Sequence, residues 1–322
     1  MKMEQFYRLI SSEMTAVDAV IRARLNSDVV LVRQVAEYIV QSGGKRLRPA
    51  LVLLVAGAFA YQGRQHYTLA AVIEFIHTAT LLHDDVVDES HLRRGRQTAN
   101  AVFGNAASVL VGDFLYSRAF QMMLEAESLR VMQVLSDATN VIAEGEVLQL
   151  MNCHDPDVDE SRYLQVIRYK TAKLFEAAAQ LGAILGCASA EQETCMTVYG
   201  RHLGTAFQLI DDVLDYSGDE ADTGKHLGDD LAEGKPTLPL IYVMRHGTTE
   251  QSNLVRRAIK EGGRDDFPLV LAAIRSSGAL EYARQRAQEE ADLAVAALAM
   301  LPTSQYKDSL LALTGFAVAR VA

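Results

Sequence analysis

The chain is poor in cysteine, has no long apolar run and carries no surplus of positive charge. Its three cysteines, Cys153, Cys187 and Cys195, are odd in number and show no C-x-x-C spacing and no neighbouring histidine ladder. This argues against a disulfide framework or a zinc site and points to reduced thiols in a cytoplasmic protein. The longest apolar run, Pro49–Tyr61, is shorter than the roughly 20 residues of a membrane-spanning helix. The N-terminus, MKMEQFYRLISSEM, is polar and acidic from its fourth residue, so it does not read as a signal peptide. Lys and Arg number 31 against 41 Asp and Glu, a net charge of −10. Binders of the phosphate backbone are usually basic, so nucleic acid is not the expected partner. Small phosphorylated ligands remain open, since they need only a local cluster of cations or metal ions. Strand pairs, hairpin signals, Pro/Ser-rich linkers and low-complexity segments are missing too.

Helical periodicity fills the 322 residues instead. Phe6, Leu9, Ile10, Met14, Val17, Val20 and Ile21 form one stripe with spacings of three and four. Asp28 is placed to cap a second helix, and Thr68 to open a long one. The alanine-rich run 50–60 reads as a buried helix. Further helices are expected over 105–126, 128–150, from Asp159 through Lys170 to Leu185, from Ser189 to Tyr216, and over 249–261, 266–276, 279–300 and 304–320. Ser189 with Gln192 and Thr248 with Gln251 have capping-box spacing. The expectation is one all-α domain, 1–322, built as a helical bundle.

Within it, 81–96 reads LLHDDVVDESHLRRGR. A helix turns about 100° per residue, so Asp84, Asp85 and Asp88 share an arc of about 100°. Val86 and Val87 should face the other way, toward a core. The pattern returns: 84–90 is DDVVDES and 211–217 is DDVLDYS. The second trio is Asp211, Asp212 and Asp215, with Val213 and Leu214 facing away. Buried carboxylates are costly unless paired or bound to metal. Two such trios on apolar helices suit a hard divalent ion such as Mg²⁺, which takes a few carboxylates and completes its shell with water and phosphate oxygens.

Cations accompany the acids. Lys45 and Arg48 lie in the glycine turn SGGKRLRP at 42–49, and Arg93 and Arg94 follow the first trio. Lys170 and Thr171 sit between the trios, and Lys225 and Lys235 flank the loop after the second. Lys and Arg are the usual clamps for diphosphate charge. His77 precedes Asp84 by seven residues and Gln208 precedes Asp215 by seven, about 20° off alignment, so both join the acid-bearing faces.

Together these motifs resemble the trans-polyprenyl diphosphate synthases. The likeness covers essentially the whole chain: GGKRLRP at 43–49, the first acid motif with its arginines, GDFL at 112–115, KT at 170–171, GTAFQLIDDVLDY at 204–216 and GDDLAEGKPTLP at 228–239. It is nearest to the long-chain branch. The resemblance implies an all-α bundle around a central cavity, usually a homodimer. It also implies two or three Mg²⁺ ions per site and condensation of isopentenyl diphosphate onto an allylic diphosphate, such as farnesyl diphosphate, to an octaprenyl product for a quinone side chain. Asp84, Asp88 and Asp211, with Asp85, Asp212 and Asp215 beside them, would hold the metal. Arg93, Lys170, Thr171, Gln208, Lys225 and Lys235 would contact the allylic diphosphate. Lys45, Arg48, His77 and Arg94 would hold isopentenyl diphosphate. The chemistry is departure of diphosphate, attack of the isopentenyl double bond on the allylic carbocation, and loss of a proton, in a cavity that keeps water out. No Ser-His-Asp or Cys-His set offers a protein nucleophile.

Family pattern also ties product length to the residues before the first trio. Here Ala79 and Thr80 are both small, so a tail can pass about 7 Å below the metal site. Met122 and Met123 are candidates for the floor, with ordinary core packing an equal reading. Product release implies at most transient membrane contact. Four rivals stand beside this reading: a shorter-chain synthase, a class I terpene cyclase, a non-catalytic subunit of a heteromeric synthase, and a simple metal-binding helical protein, which leaves the paired basic loops unexplained. The repeated DDxxD and the GGKRLRP turn disfavour the cyclase, and intact motifs disfavour the silent subunit.

Overall fold

The structure, a computed structural model, describes residues 4–41, 43–93, 95–217, 227–262 and 264–320. Helices form nearly all of its regular structure: α1 Glu4–Leu9, α2 Ser11–Arg24, α3 Val30–Gln41, α4 Leu47–Ala58, α5 Gln65–Val87, α6 Ala99–Phe103, α7 Asn105–Leu124, α8 Leu129–Asn152, α9 Glu160–Ile167, α10 Lys173–Leu185, α11 Ala190–Ser217, α12 Asp229–Ala232, α13 Leu238–His246, α14 Thr249–Glu261, α15 Phe267–Ser277, α16 Ala279–Ala297 and α17 Gln305–Val318. The fold class is all-α. No helix among the described residues is long and apolar enough to cross a membrane.

Three of the expected helix caps form. Asp159 accepts from the Arg162 amide at 2.8 Å. Ser189 with Gln192, and Thr248 with Gln251, both form reciprocal pairs. Three details differ. Helix α5 begins at Gln65, three residues before Thr68. Ser27 rather than Asp28 receives the amide ahead of α3, from Val29 at 3.2 Å. A short hairpin, β1 Leu92–Arg93 with β2 Arg96–Gln97, also follows α5. Two-residue strands leave no alternation to read, and Gly95 at φ +73° supplies the backbone freedom in the connection.

The chain divides into two compact units. The first comprises 1–139, 174–200 and 297–313; the second comprises 140–173, 201–296 and 314–322. In the first, α4 is buried continuously from Leu47 to Ala56, apart from Arg48, as expected for a helix enclosed on all sides. Helices α5 and α7 approach closely through small residues. Ser108 donates to the Leu82 carbonyl at 3.0 Å, and a Cβ on Gly112 would fall 2.2 Å from Nε2 of His83. In the second unit, Tyr163, Leu164, Leu209, Val213, Ile241, Ala283 and Ala287 share one core. Tyr216, Leu240, Val255, Val270 and Ile274 anchor another.

Candidate active site

In the first unit the acid trio occupies the last turn of α5. Asp85 is fully buried, while Asp84 and Asp88 are half-buried. Asp88 is the C-cap residue, its amide bonded to the Asp84 carbonyl at 2.8 Å. The helix buries Thr78, Leu82 and Asp85, spaced i, i+4, i+7, and this stripe sets its orientation. That corrects the valine expectation: Val87 is 64% exposed and Val86 only half-buried, because Asp85, not the valines, continues the interior face.

Asp85 Oδ1 receives Nε and Nη2 of Arg93 at 2.8 and 2.6 Å. Its Oδ2 is buried with no hydrogen-bond partner among the described residues. Burial opposes the charge on Arg93, but Asp85, Asp84 and Asp88 outweigh it and hold the guanidinium above its ordinary pKa. Arg93 is thereby fixed beside the whole trio. Arg94 lies outside the described residues.

The glycine turn places Arg46 in the left-handed region, φ +44°, and ties it to Glu74 at 2.8 Å. Lys45 is exposed. Arg48 lies over the Phe175 ring at 4.4 Å, with Nη1 3.3 Å from Nε2 of His77. Lys45, Arg48 and His77 thus belong to one unit, and the last two are in contact. Ala79 is fully buried and Thr80 half-buried, its hydroxyl donating to the His77 carbonyl at 2.8 Å. Met122 and Met123 are buried on the inner face of α7.

In the second unit α11 repeats the arrangement. Asp212 is buried, and Asp211 and Asp215 are half-buried. Asp212 again continues an apolar stripe, through Leu209 and Tyr216. Both its oxygens are held: Tyr163 donates to Oδ2 at 2.6 Å and Gln208 to Oδ1 at 2.7 Å. Burial, reinforced by Asp230, pushes its carboxyl up to about 8 against those bonds. Gln208 accepts in turn from Thr171 at 2.9 Å. Thr171 and Lys170 lie in a five-residue π-helical turn, Arg168–Ala172, which interrupts the helix expected from Asp159 to Leu185. Such turns often occur at functional sites. Lys170 pairs with Glu146 at 2.6 Å and Lys235 with Glu233 at 2.5 Å. Asp215 Oδ2 accepts the Asp230 amide at 3.2 Å, which fixes the start of α12. Lys225 lies outside the described residues.

Two partners escape the sequence reading. Tyr163 precedes Lys170 by seven residues, the spacing that singled out His77 and Gln208, so the same rule would have found it. Arg320 has no such signal. It bonds Asp211 Oδ1 at 2.5 Å and the Phe207 carbonyl at 2.7 Å, and stacks 3.8 Å above the Phe207 ring.

Among the described residues, no three His, Cys, Asp or Glu side chains converge as a metal cage. The donors do fit a hard ion with few protein ligands. In each unit they are carboxylates without thiolate: Asp84 and Asp88 in the first and Asp211 in the second reach solvent, and Asp85 Oδ2 is a buried acceptor with no donor among the described residues.

The sequence profile of the polyprenyl synthetase family matches residues 29–273. The chain is 57% identical to octaprenyl diphosphate synthase of Escherichia coli over 321 residues, 99% of each chain. It is 53% identical to the Haemophilus influenzae octaprenyl diphosphate synthase, covering 99% and 98%. A polyprenyl synthase of Caulobacter crescentus, solved in complex with calcium and isoprenyl diphosphate, superimposes with a TM-score of 0.97 at 43% identity, covering 100% of this chain and 98% of that one. With both acid trios, the glycine turn and the Lys170–Thr171 turn in place, the chain belongs to the polyprenyl synthetase family and is a prenyltransferase.

Proposed function

We propose that this chain is a long-chain all-trans polyprenyl diphosphate synthase that extends an allylic diphosphate, such as farnesyl diphosphate, with isopentenyl diphosphate to an octaprenyl product for a quinone side chain. The observation that carries this reading is the split within each acid trio. One aspartate is buried and held, Asp85 by Arg93 and Asp212 by Tyr163 and Gln208, while its neighbours Asp84, Asp88, Asp211 and Asp215 are only half-buried. Full-length identity to two octaprenyl diphosphate synthases supports the product class.

Asp84, Asp88 and Asp211 are the candidate ligands of two or three Mg²⁺ ions, with Asp215 beside them and Asp85 and Asp212 orienting the helix ends. When bound, Mg²⁺ neutralises charge on the departing diphosphate. Lys170, Thr171, Gln208, Lys225, Lys235 and Arg93 bind the allylic diphosphate, and Lys170 and Lys235 exchange Glu146 and Glu233 for its oxygens. Lys45, Arg48, His77 and Arg94 bind isopentenyl diphosphate. Electrostatic positioning of this kind stabilises the leaving group without a protein nucleophile. The small Ala79 and Thr80 admit a long tail, and Met122 and Met123 are candidates for its floor. Residues 1–322 then act as one functional domain, in the cytoplasm, as a homodimer.

The test is product analysis. Purified chain with farnesyl diphosphate, isopentenyl diphosphate and Mg²⁺ should yield, after dephosphorylation, an octaprenol peak by mass spectrometry. Products of four isoprene units or fewer would establish the shorter-chain reading, and no consumption of isopentenyl diphosphate would overturn the assignment.

A further inference from the structure

Helix α16 buries Ala283, Ala287, Glu290 and Ala294, spaced i, i+4, i+7 and i+11. A glutamate 5% exposed in a stripe of alanines has a large desolvation cost, and a methionine of similar size would avoid it. Both carboxylate oxygens are engaged. Oε2 accepts from Nδ1 of His202 on α11 at 2.5 Å, and Oε1 accepts from Nη2 of Arg168 at 3.2 Å. Burial alone raises its pKa, but the His202 hydrogen bond and the Arg168 charge outweigh that and hold the carboxyl below its ordinary range.

Both partners lead to the site. Arg168 is the first residue of the π turn, two and three positions before Lys170 and Thr171. His202 lies on α11, six positions before Gln208. The Thr171–Gln208 bond at 2.9 Å then closes a ring from Glu290 through Arg168, the π turn, Thr171, Gln208 and α11 to His202. A π turn carries one residue more than the helix around it, so its register needs support from outside.

We infer that Glu290 is a positioning residue: it clamps Arg168 and His202 and so fixes Lys170 and Thr171 against Gln208 for diphosphate binding. The inference rests on the proposed role of those three residues as allylic-diphosphate contacts. A merely structural glutamate would be replaceable by an apolar residue of the same length.

The experiment compares full-length Glu290→Met and Glu290→Gln with Ala291→Gly, a mild packing defect on the same helix. Melting temperature, KM for farnesyl diphosphate and for isopentenyl diphosphate, and amide hydrogen exchange over 168–173 are measured for each. Glu290→Met should keep its fold, raise the farnesyl diphosphate KM at least tenfold, leave the isopentenyl diphosphate KM within twofold, and speed exchange over 168–173 about tenfold. Glu290→Gln should show the same pattern more weakly, and it decides the matter if the methionine variant does not fold. Wild-type exchange and KM values in a folded variant, or equal changes in both KM values as in Ala291→Gly, would overturn the inference. A wild-type chain that does not consume isopentenyl diphosphate would overturn the proposed function instead, and the exchange measurement would still judge the clamp.

Discussion

Asp211 and Asp212 are neighbours in sequence with different surroundings. Asp212 is enclosed, and both its oxygens serve internal donors; Asp211 is half-exposed and pairs with Arg320. Asp84 and Asp85 divide likewise in burial, Asp85 enclosed with Oδ1 on Arg93 and Asp84 half-buried. Substitutions should therefore separate two roles. Asp84→Ala or Asp211→Ala is expected to abolish Mg²⁺-dependent condensation, and Asp211→Ala should also lower the melting temperature, because it leaves the largely buried Arg320 guanidinium without its carboxylate. Near-normal turnover in steady-state assays of either variant would refute the metal assignment. Tyr163→Phe removes a buried donor and leaves Asp212 Oδ2 unsatisfied, which costs about 1–3 kcal/mol. Urea denaturation should show this as a lower midpoint, and an unchanged midpoint would mean that the bond contributes nothing. The trios themselves were legible from spacing alone. Their division was half-legible: Asp85 follows Leu82 by three and Asp212 follows Leu209 by three, so each extends an apolar stripe. Arg320 was not legible, since a lone arginine near the end of a chain carries no local pattern.

At the scale of the element, helix existence followed from periodicity and caps, while the interruption at Arg168–Ala172 did not. Residues 159–185 carry a continuous helical pattern, and nothing local marks the extra residue. The reason is tertiary. Gly145 of α8 lets that helix's backbone meet the turn closely, for a Cβ there would fall 2.6 Å from the Lys170 amide nitrogen and 2.8 Å from Tyr169 Cβ. Gly145→Ala should therefore destabilise the protein by about 1–3 kcal/mol through overpacking against backbone that has little room to move. It should also raise the farnesyl diphosphate KM by displacing Lys170. Thermal melts and initial rates test both, and a variant equal to wild type in each would show that the turn tolerates displacement. The other element with two duties is α5, which ends in the first trio and carries Ala79 and Thr80 one turn earlier. Ala79→Tyr is expected to shorten the product, read by mass spectrometry of the dephosphorylated alcohols. An unchanged length distribution would sink that idea.

At the scale of the whole molecule the question is what covers α7. On a helical wheel its buried residues, Ser108, Val111, Gly112, Leu115, Ala119, Met122 and Met123, occupy one side. Val109, Leu110, Phe120 and Leu124 fall within an arc of about 100° on the other side. They are 37%, 66%, 41% and 56% exposed, and Leu129, the first residue of α8, is 85% exposed. Scattered surface leucines need no explanation, but an aligned apolar row on a helix already buried on its other face marks an interaction surface. A second copy of the chain is the occupant proposed here, since a two-fold contact brings the same row onto itself and needs no other partner. Leu110→Glu with Leu124→Glu should then halve the mass seen in sedimentation equilibrium while leaving the melting profile of the chain cooperative. Glutamates facing one another across a desolvated contact repel, whereas on a solvated face they are harmless. A wild-type chain that sediments as a monomer, or a double variant that keeps the wild-type dimer mass, would remove α7 from the interface.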